Sequence, residues 1–404
     1  MKPEKVVFLS IMICYIGFGV INPILAPLIR DVGLEEQHAG WIVSASALVM
    51  LLTSPLWGIW SDKLGRKPVM VIGLIGFALS MSIFAALVLV GLRGGINLTL
   101  LFILFIASRV LFGLFSPAVI SSSQALIADL TPPDKRSSGM ALIGAATGIG
   151  FLIGPAMGAG LSTIHLVVPI IISAGLSFTV IFLVIYRIPR IAPKQNERHA
   201  SVSLSRPGMR PYLVVATCLM STIVMLQVTS GFFIQDKFGF DGKTTALWVG
   251  IGLFSTGFMM ALVQMTILRK RSLAPRTLLR VGLPIIAVAF LALILAEHIS
   301  IIIVAFLLFG IGGGFSLPGY KSGVSLSAGE QSQGAAAGLT ATAAGIGSLI
   351  APIGGTTLYR LQAELPFWIG LSIIVLLSIY VWSGHVGLNI QVQRDKSGTS
   401  KLTA

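Results

Sequence analysis

Two stretches of this sequence put charge where charge is costly. In GIWSDKLGRKP, residues 58–68, four charged side chains lie between two long apolar runs. In IASRVLFG a single arginine, Arg109, lies inside an apolar run. Asp62 and Arg66 stand four residues apart and can form an ion pair. Asp62 can also face the positive N-terminal end of a neighbouring helix. Asp129, at the end of a later apolar run, is a second candidate partner for Arg66. Arg109 falls near the middle of its run, where a guanidinium in lipid costs at least about 2.5–3.5 kcal/mol, so such residues face a cavity or find internal partners. Two readings stand for it: a cavity residue that binds or handles protons, or a brace bonded to backbone carbonyls or to Gln124. Covalent chemistry is not expected. All five histidines fall in loops or at the ends of runs, and no run carries a metal-ligand cluster or a nucleophile–base pair. The sequence is therefore not read as an enzyme, and no cofactor or metal is expected.

The elements that must position these residues are legible from composition. Of the 404 residues, 55% are hydrophobic and 10% charged, against about 25% charged in a soluble domain. Polar groups are too few to cover a water-facing surface, so lipid must cover most of it. About 20 apolar residues span the hydrocarbon core, and twelve such runs occur, near 6–28, 39–60, 69–92, 98–124, 137–161, 166–187, 211–235, 245–268, 276–297, 299–320, 334–359 and 365–387. The ninth and tenth are divided only by Glu297-His298. The first run is long and reads as a retained helix, with no cleavable leader pattern. Cys14 and Cys218 both lie within apolar runs, which argues against a disulfide framework.

Loop charge sets the expected orientation. With both termini in the cytoplasm, 22 of the 28 Lys and Arg residues face inward, and only Arg30, Arg93, Lys237, Lys243 and Arg360 face outward. The same bias explains the net charge of +14 without nucleic acid, because the basic residues are spread over many short loops. The polar stretch 189–211 divides the runs six and six. The halves resemble each other: GIGFLIGPAMGAGL at 148–161 shares eight of fourteen residues with GIGSLIAPIGGTTL at 345–358, and LFG recurs at the same offset, at 111–113 and 308–310. The expectation is an all-α polytopic membrane protein of two pseudo-symmetric bundles, residues 1–188 and 211–388, with a linker at 189–210 and a cytoplasmic tail at 389–404.

Over essentially its whole length the sequence resembles the major facilitator superfamily, and within it the twelve-helix drug and metabolite exporters. Gly58, Asp62, Lys63, Gly65, Arg66 and Lys67 match the family's motif A in the expected loop between helices two and three. Arg109 with Gly113 resembles motif B, although Phe112 stands where glutamine is common. Gly150, Gly154, Pro155 and Gly158 resemble motif C of exporters and antiporters, with Ala159 in place of the final glycine. Pro23 and Pro27 are spaced one residue wider than the family's helix-one pair. The resemblance implies alternating access, a cytoplasmic gate formed by the motif A residues with Asp129 while that side is closed, and a coupling or substrate role for Arg109. Tyr15, Asn22, Gln124 and Gln227 are polar groups within runs that could line a cavity or make buried interhelical hydrogen bonds.

None of the fourteen acidic residues lies in the central part of a run. A cavity holding Arg109 without a carboxylate has positive potential, which disfavours polycations. The expected function is export of small amphipathic molecules, of the multidrug type, by proton antiport across a bacterial inner membrane, by a monomer embedded in the lipid bilayer. The alternative is an exporter of an anionic metabolite or metallophore. An uptake symporter is disfavoured by the motif in the fifth run.

Overall fold

A computed structural model of the chain describes residues 2–132, 136–189, 208–268, 273–328 and 332–383. Most of the expected linker and all of the expected tail lie outside these residues. The described residues form twelve helices long and apolar enough to cross a membrane, and no strand. They are α1 (Pro3–Asp31), α2 (Glu36–Leu64), α3 (Arg66–Arg93), α4 (Leu98–Leu130), α5 (Arg136–Ser162) and α6 (Val168–Arg187). The second half follows with α7 (Arg210–Phe238), α8 (Gly242–Val263), α9 (Pro275–Ile294), α10 (Ile299–Ala328), α11 (Gln333–Leu361) and α12 (Leu365–Trp382). A π-helical turn, Gln264–Leu268, extends α8. In hydrocarbon each backbone polar group must find its partner within the segment, which leaves the helix as the solution for an apolar run of this length. The weakest expected division holds, since α9 and α10 are separate helices on either side of Glu297.

Short polar signals fix the helix ends. The Asn97 side chain accepts hydrogen bonds from the amides of Thr99 and Leu100 at 2.9 and 3.2 Å, capping α4. Gly65 separates α2 from α3 as a single residue at φ 94°, a conformation that a side chain resists.

Two compact units emerge. The first contains α1–α6 with 225–257 of α7 and α8 and 349–363 at the end of α11; the second contains 210–224, 258–268, α9, α10, α11 as far as 348, and α12. In the first, α1 packs on α5, α3 on α4 and α6, and α2 on α4; in the second, α9 packs on α10 and α12.

Glycines make the tightest of these seams. A Cβ on Gly154 would lie 2.8 Å from the Gly19 Cα and 2.9 Å from the Ile16 carbonyl oxygen. One on Gly150 would lie 2.7 Å from the Met12 carbonyl, and one on Gly158 2.6 Å from that of Val20. Three glycines at i, i+4 and i+8 thus let the α5 backbone lie directly on α1. The sequence repeat reappears as repeated contact. Gly250 of α8 approaches the Pro155 carbonyl at 2.9 Å, beside Ala159; Gly40 of α2 approaches the Pro352 carbonyl at 2.6 Å, beside Thr356. Pro155 and Ala159 correspond to Pro352 and Thr356 at the offset of the repeat. The Ser44 hydroxyl adds a 2.7 Å bond to the Leu349 carbonyl across the α2–α11 contact.

A leucine at Gly154 must force α1 and α5 apart and should cost roughly 1–3 kcal/mol or more. An alanine at Gly144, where a Cβ meets nothing within 4 Å, should leave stability unchanged. Thermal melting of the detergent-solubilised variants checks the contrast.

Candidate functional site

Three groups of polar side chains stand out in the first unit, one at each end of the helices and one within them. The first joins α2, α3 and α4. Arg66, only 9% exposed, pairs with Asp62 one turn earlier, and its Nε donates to the Asp129 carboxylate at 3.0 Å and its Nη1 to the Ser61 hydroxyl at 3.2 Å. Lys67 donates to the Ile185 carbonyl at the end of α6, 2.7 Å away, so it holds a helix end as well as carrying loop charge. Lys63 is exposed. The two glycines of this stretch differ: Gly65 makes the turn, whereas a Cβ on Gly58 would meet nothing within 4 Å. Close helix approach at Gly58 is therefore not seen.

Within the helices, α2 and α4 set the position of Arg109. Gly113 leaves no room for a side-chain carbon, because the Ser46 carbonyl of α2 fills that space. Pro117 has no N–H to give the Gly113 carbonyl, and the Thr53 hydroxyl of α2 donates to it instead at 3.3 Å. The Trp57 indole N–H adds a 2.5 Å bond to the Leu114 carbonyl. One turn before this crossing, Arg109 is 4% exposed. Its guanidinium carbon lies 4.0 Å from the Phe84 ring centre and 4.9 Å from that of Phe112. Its Nε and Nη2 atoms are buried without a hydrogen-bond partner. Arg109 lines a cavity of about 80 Å³ together with Asn22, Ser46, Phe18, Phe84 and Phe112, among others. The bracing alternative is not realised through Gln124, which is exposed and lies roughly 22 Å further along α4. Tyr15 packs on Phe18 and Phe151, with ring centres 5.7 and 4.9 Å apart. Gln227 is half-buried on α7, away from the cavity lining.

The third group sits where α1 ends and α2 begins, and the sequence reading singled out none of its pairs. The Arg30 guanidinium grips both Asp236 oxygens, at 2.5 and 2.9 Å, and donates to Glu36 at 2.7 Å. The Tyr359 hydroxyl donates to Asp236 at 2.5 Å, and Phe232 lies under the guanidinium, 5.2 Å away. Nearby, Arg360 contacts Glu35 at 3.3 Å and Gln37 at 3.2 Å. The cluster ties α1 and α2 to the ends of α7 and α11. Asp241, just beyond α7, accepts hydrogen bonds from Thr244 that hold its carboxyl below the usual range. A signal for the main pair did exist: Arg30 and Asp236 occupy corresponding ends of α1 and α7, the first helices of the two repeats, with opposite charge.

A family description of the Major Facilitator Superfamily matches residues 7–352. The chain belongs to the major facilitator superfamily. Its members are membrane transporters and not enzymes. Multidrug resistance protein 1 of Bacillus subtilis (strain 168) is 25% identical over 370 residues, covering 89% of this chain and 90% of that protein. The quinolone resistance protein NorA of Staphylococcus aureus (strain COL) is 26% identical over 397 residues, covering 95% and 97%. Among solved structures, the nucleoside transporter NupG aligns with a TM-score of 0.76 at 12% identity, covering 94% of this chain and 99% of that one. The human organic anion transporter MFSD10 aligns with a TM-score of 0.67 at 22% identity, covering 94% and 100%. At such identities the structures speak for the fold alone.

Within this transporter Arg66 holds two carboxylates at once. Arg66→Ala should therefore cost roughly 1–3 kcal/mol, and Asp62→Asn distinctly less, because Asp129 keeps its partner. Melting temperatures of the purified variants give the order.

Proposed function

We propose that the protein exports small amphipathic molecules across a bacterial cytoplasmic membrane by alternating access, in exchange for protons. The observation that carries this reading is the Arg30–Asp236–Tyr359 cluster, which clamps helices of the first repeat to helices of the second at one end. The orientation argued from loop charge makes that end the external one, and Arg66 with Asp129 then lies at the cytoplasmic end. Directly below the cluster, Gly40 and Gly250 seat against the Pro352 and Pro155 carbonyls. Both features support a state shut on the outside.

The strength of the clamp suits a cycle. The Arg30 and Asp236 side chains are 24% and 46% exposed, and an ion pair this wet contributes at most about 1 kcal/mol. A few such contacts bias a two-state equilibrium without freezing it. Export of amphipathic compounds is supported by the multidrug and quinolone resistance relatives. With no acidic residue in the central part of any span, proton exchange falls to the carboxylates at the helix ends: Asp236 and Glu36 outside, Asp62 and Asp129 inside.

Reconstituted into liposomes with an acidic lumen, the protein should accumulate a zwitterionic quinolone faster than protein-free vesicles. Accumulation unaffected by collapsing the pH gradient would remove the antiport reading. Asp236→Asn should slow transport about fivefold for each pair lost, and the exchange Arg30→Asp with Asp236→Arg should recover much of the rate. A double exchange no better than the single variants would show that the cluster is not a clamp.

A further inference from the structure

Arg109 carries a buried charge with no ion-pair partner among the described residues. Among the described residues lining its cavity, none is acidic. The rings of Phe84 and Phe112 attract the guanidinium, but a cation–π contact contributes about 0.5–2 kcal/mol, less than the several kcal/mol that desolvating an ion costs. The two nitrogens without partners, Nε and Nη2, are the adjacent pair on one edge of the guanidinium. That edge presents two parallel N–H donors at the spacing of the two oxygens of a carboxylate. Asn22 and Ser46 supply amide and hydroxyl groups to the same lining, and Phe18, Phe84 and Phe112 supply apolar faces.

We infer that this cavity is a subsite for the carboxylate of an amphipathic cargo, held by the Nε–Nη2 edge of Arg109. A volume of about 80 Å³ accommodates a carboxylate and the first carbons behind it, since a water takes about 30 Å³. The apolar body of the cargo would extend along the three phenylalanine faces and beyond the cavity. Gly113 is a positioning residue: it lets α2 and α4 cross closely enough to bring Ser46 near the arginine. The inference rests on the transporter reading above and narrows its substrate class to carboxylate-bearing amphiphiles.

The test compares two ligands of nearly equal shape, 1-naphthoate and the neutral 1-naphthamide, by calorimetry on the purified full-length protein at neutral pH. Wild-type protein should bind the naphthoate about tenfold or more tightly than the amide, as expected for hydrogen bonds to a charged group. Arg109→Gln should bring the two affinities together, and Arg109→Lys should keep part of the preference, because an ammonium retains the charge without the planar fork. Equal affinities in the wild type, or a preference that survives in Arg109→Gln, would overturn the subsite. The wild-type comparison decides the matter even where a variant does not fold. Proteoliposome transport separates this failure from that of the export reading. If the amide is moved by a pH gradient but the naphthoate is not preferred, the subsite fails and export stands. If the naphthoate is preferred but neither ligand moves, the subsite stands and export fails.

Discussion

Helices already in lipid gain no hydrophobic free energy by meeting, because lipid tails are as apolar as leucine, so association relies on close van der Waals contact and on polar bonds between helices. The packing of this protein follows from that constraint. Where α5 lies on α1, the contacts are between backbones, and Gly150, Gly154 and Gly158 are there because any larger residue would hold the helices apart. The same economy makes some contacts reversible. A glycine seated on a proline-region carbonyl, as Gly40 is on Pro352 and Gly250 on Pro155, places no side chain of its own across the contact. Such surfaces can part and meet again without unfolding either helix, which side chains interdigitated across a core would not allow.

Charge is divided between the two ends in different ways. Arg66 holds Asp62 and Asp129 within a set of neighbouring helices of the first repeat. Arg30 holds Asp236, a residue of the other repeat, so in the cycle proposed above its bonds would break. Burial differs accordingly. Arg66 is almost completely enclosed, whereas the Arg30–Asp236 pair is wet, and water can take over each charge as the pair separates.

Much of this was legible in the sequence, and the limits of legibility have physical causes. Twelve apolar runs gave twelve helices because hydrocarbon leaves an apolar run few alternatives, and even the division at Glu297 held. The repeat gave the correspondence of Pro155 with Pro352, since both backbones meet the same kind of contact. The Arg66–Asp129 pair was accessible because both residues sit at helix ends on one side of the expected membrane. At Gly58 a side-chain carbon would meet nothing, because spacing within a motif does not reveal which face of a helix meets a neighbour. The Arg30 cluster was missed because its members are 206 residues apart, with Tyr359 further still. Charges at span ends look alike in sequence whether they face water or each other. Phe232 lies buried beneath Arg30, a placement that its position in an apolar run does not reveal.

Arg109 shows why a missing residue can matter as much as a present one. An internal aspartate beside it would lower the cost of burial, and would also occupy the guanidinium edge permanently. The rings of Phe84 and Phe112 make a different compromise: they attract the cation from 4.0 and 4.9 Å and leave Nε and Nη2 uncommitted. The unmet hydrogen-bonding demand then lowers stability in the empty protein and becomes binding energy for any anion that meets it. A transporter needs its cargo to bind and to leave, so a site stabilised from its faces but incomplete at its edge suits release as well as capture. The positive cavity potential is thus an outcome of where acidic residues are absent, and Phe18, Phe84 and Phe112 give the proposed subsite its apolar faces.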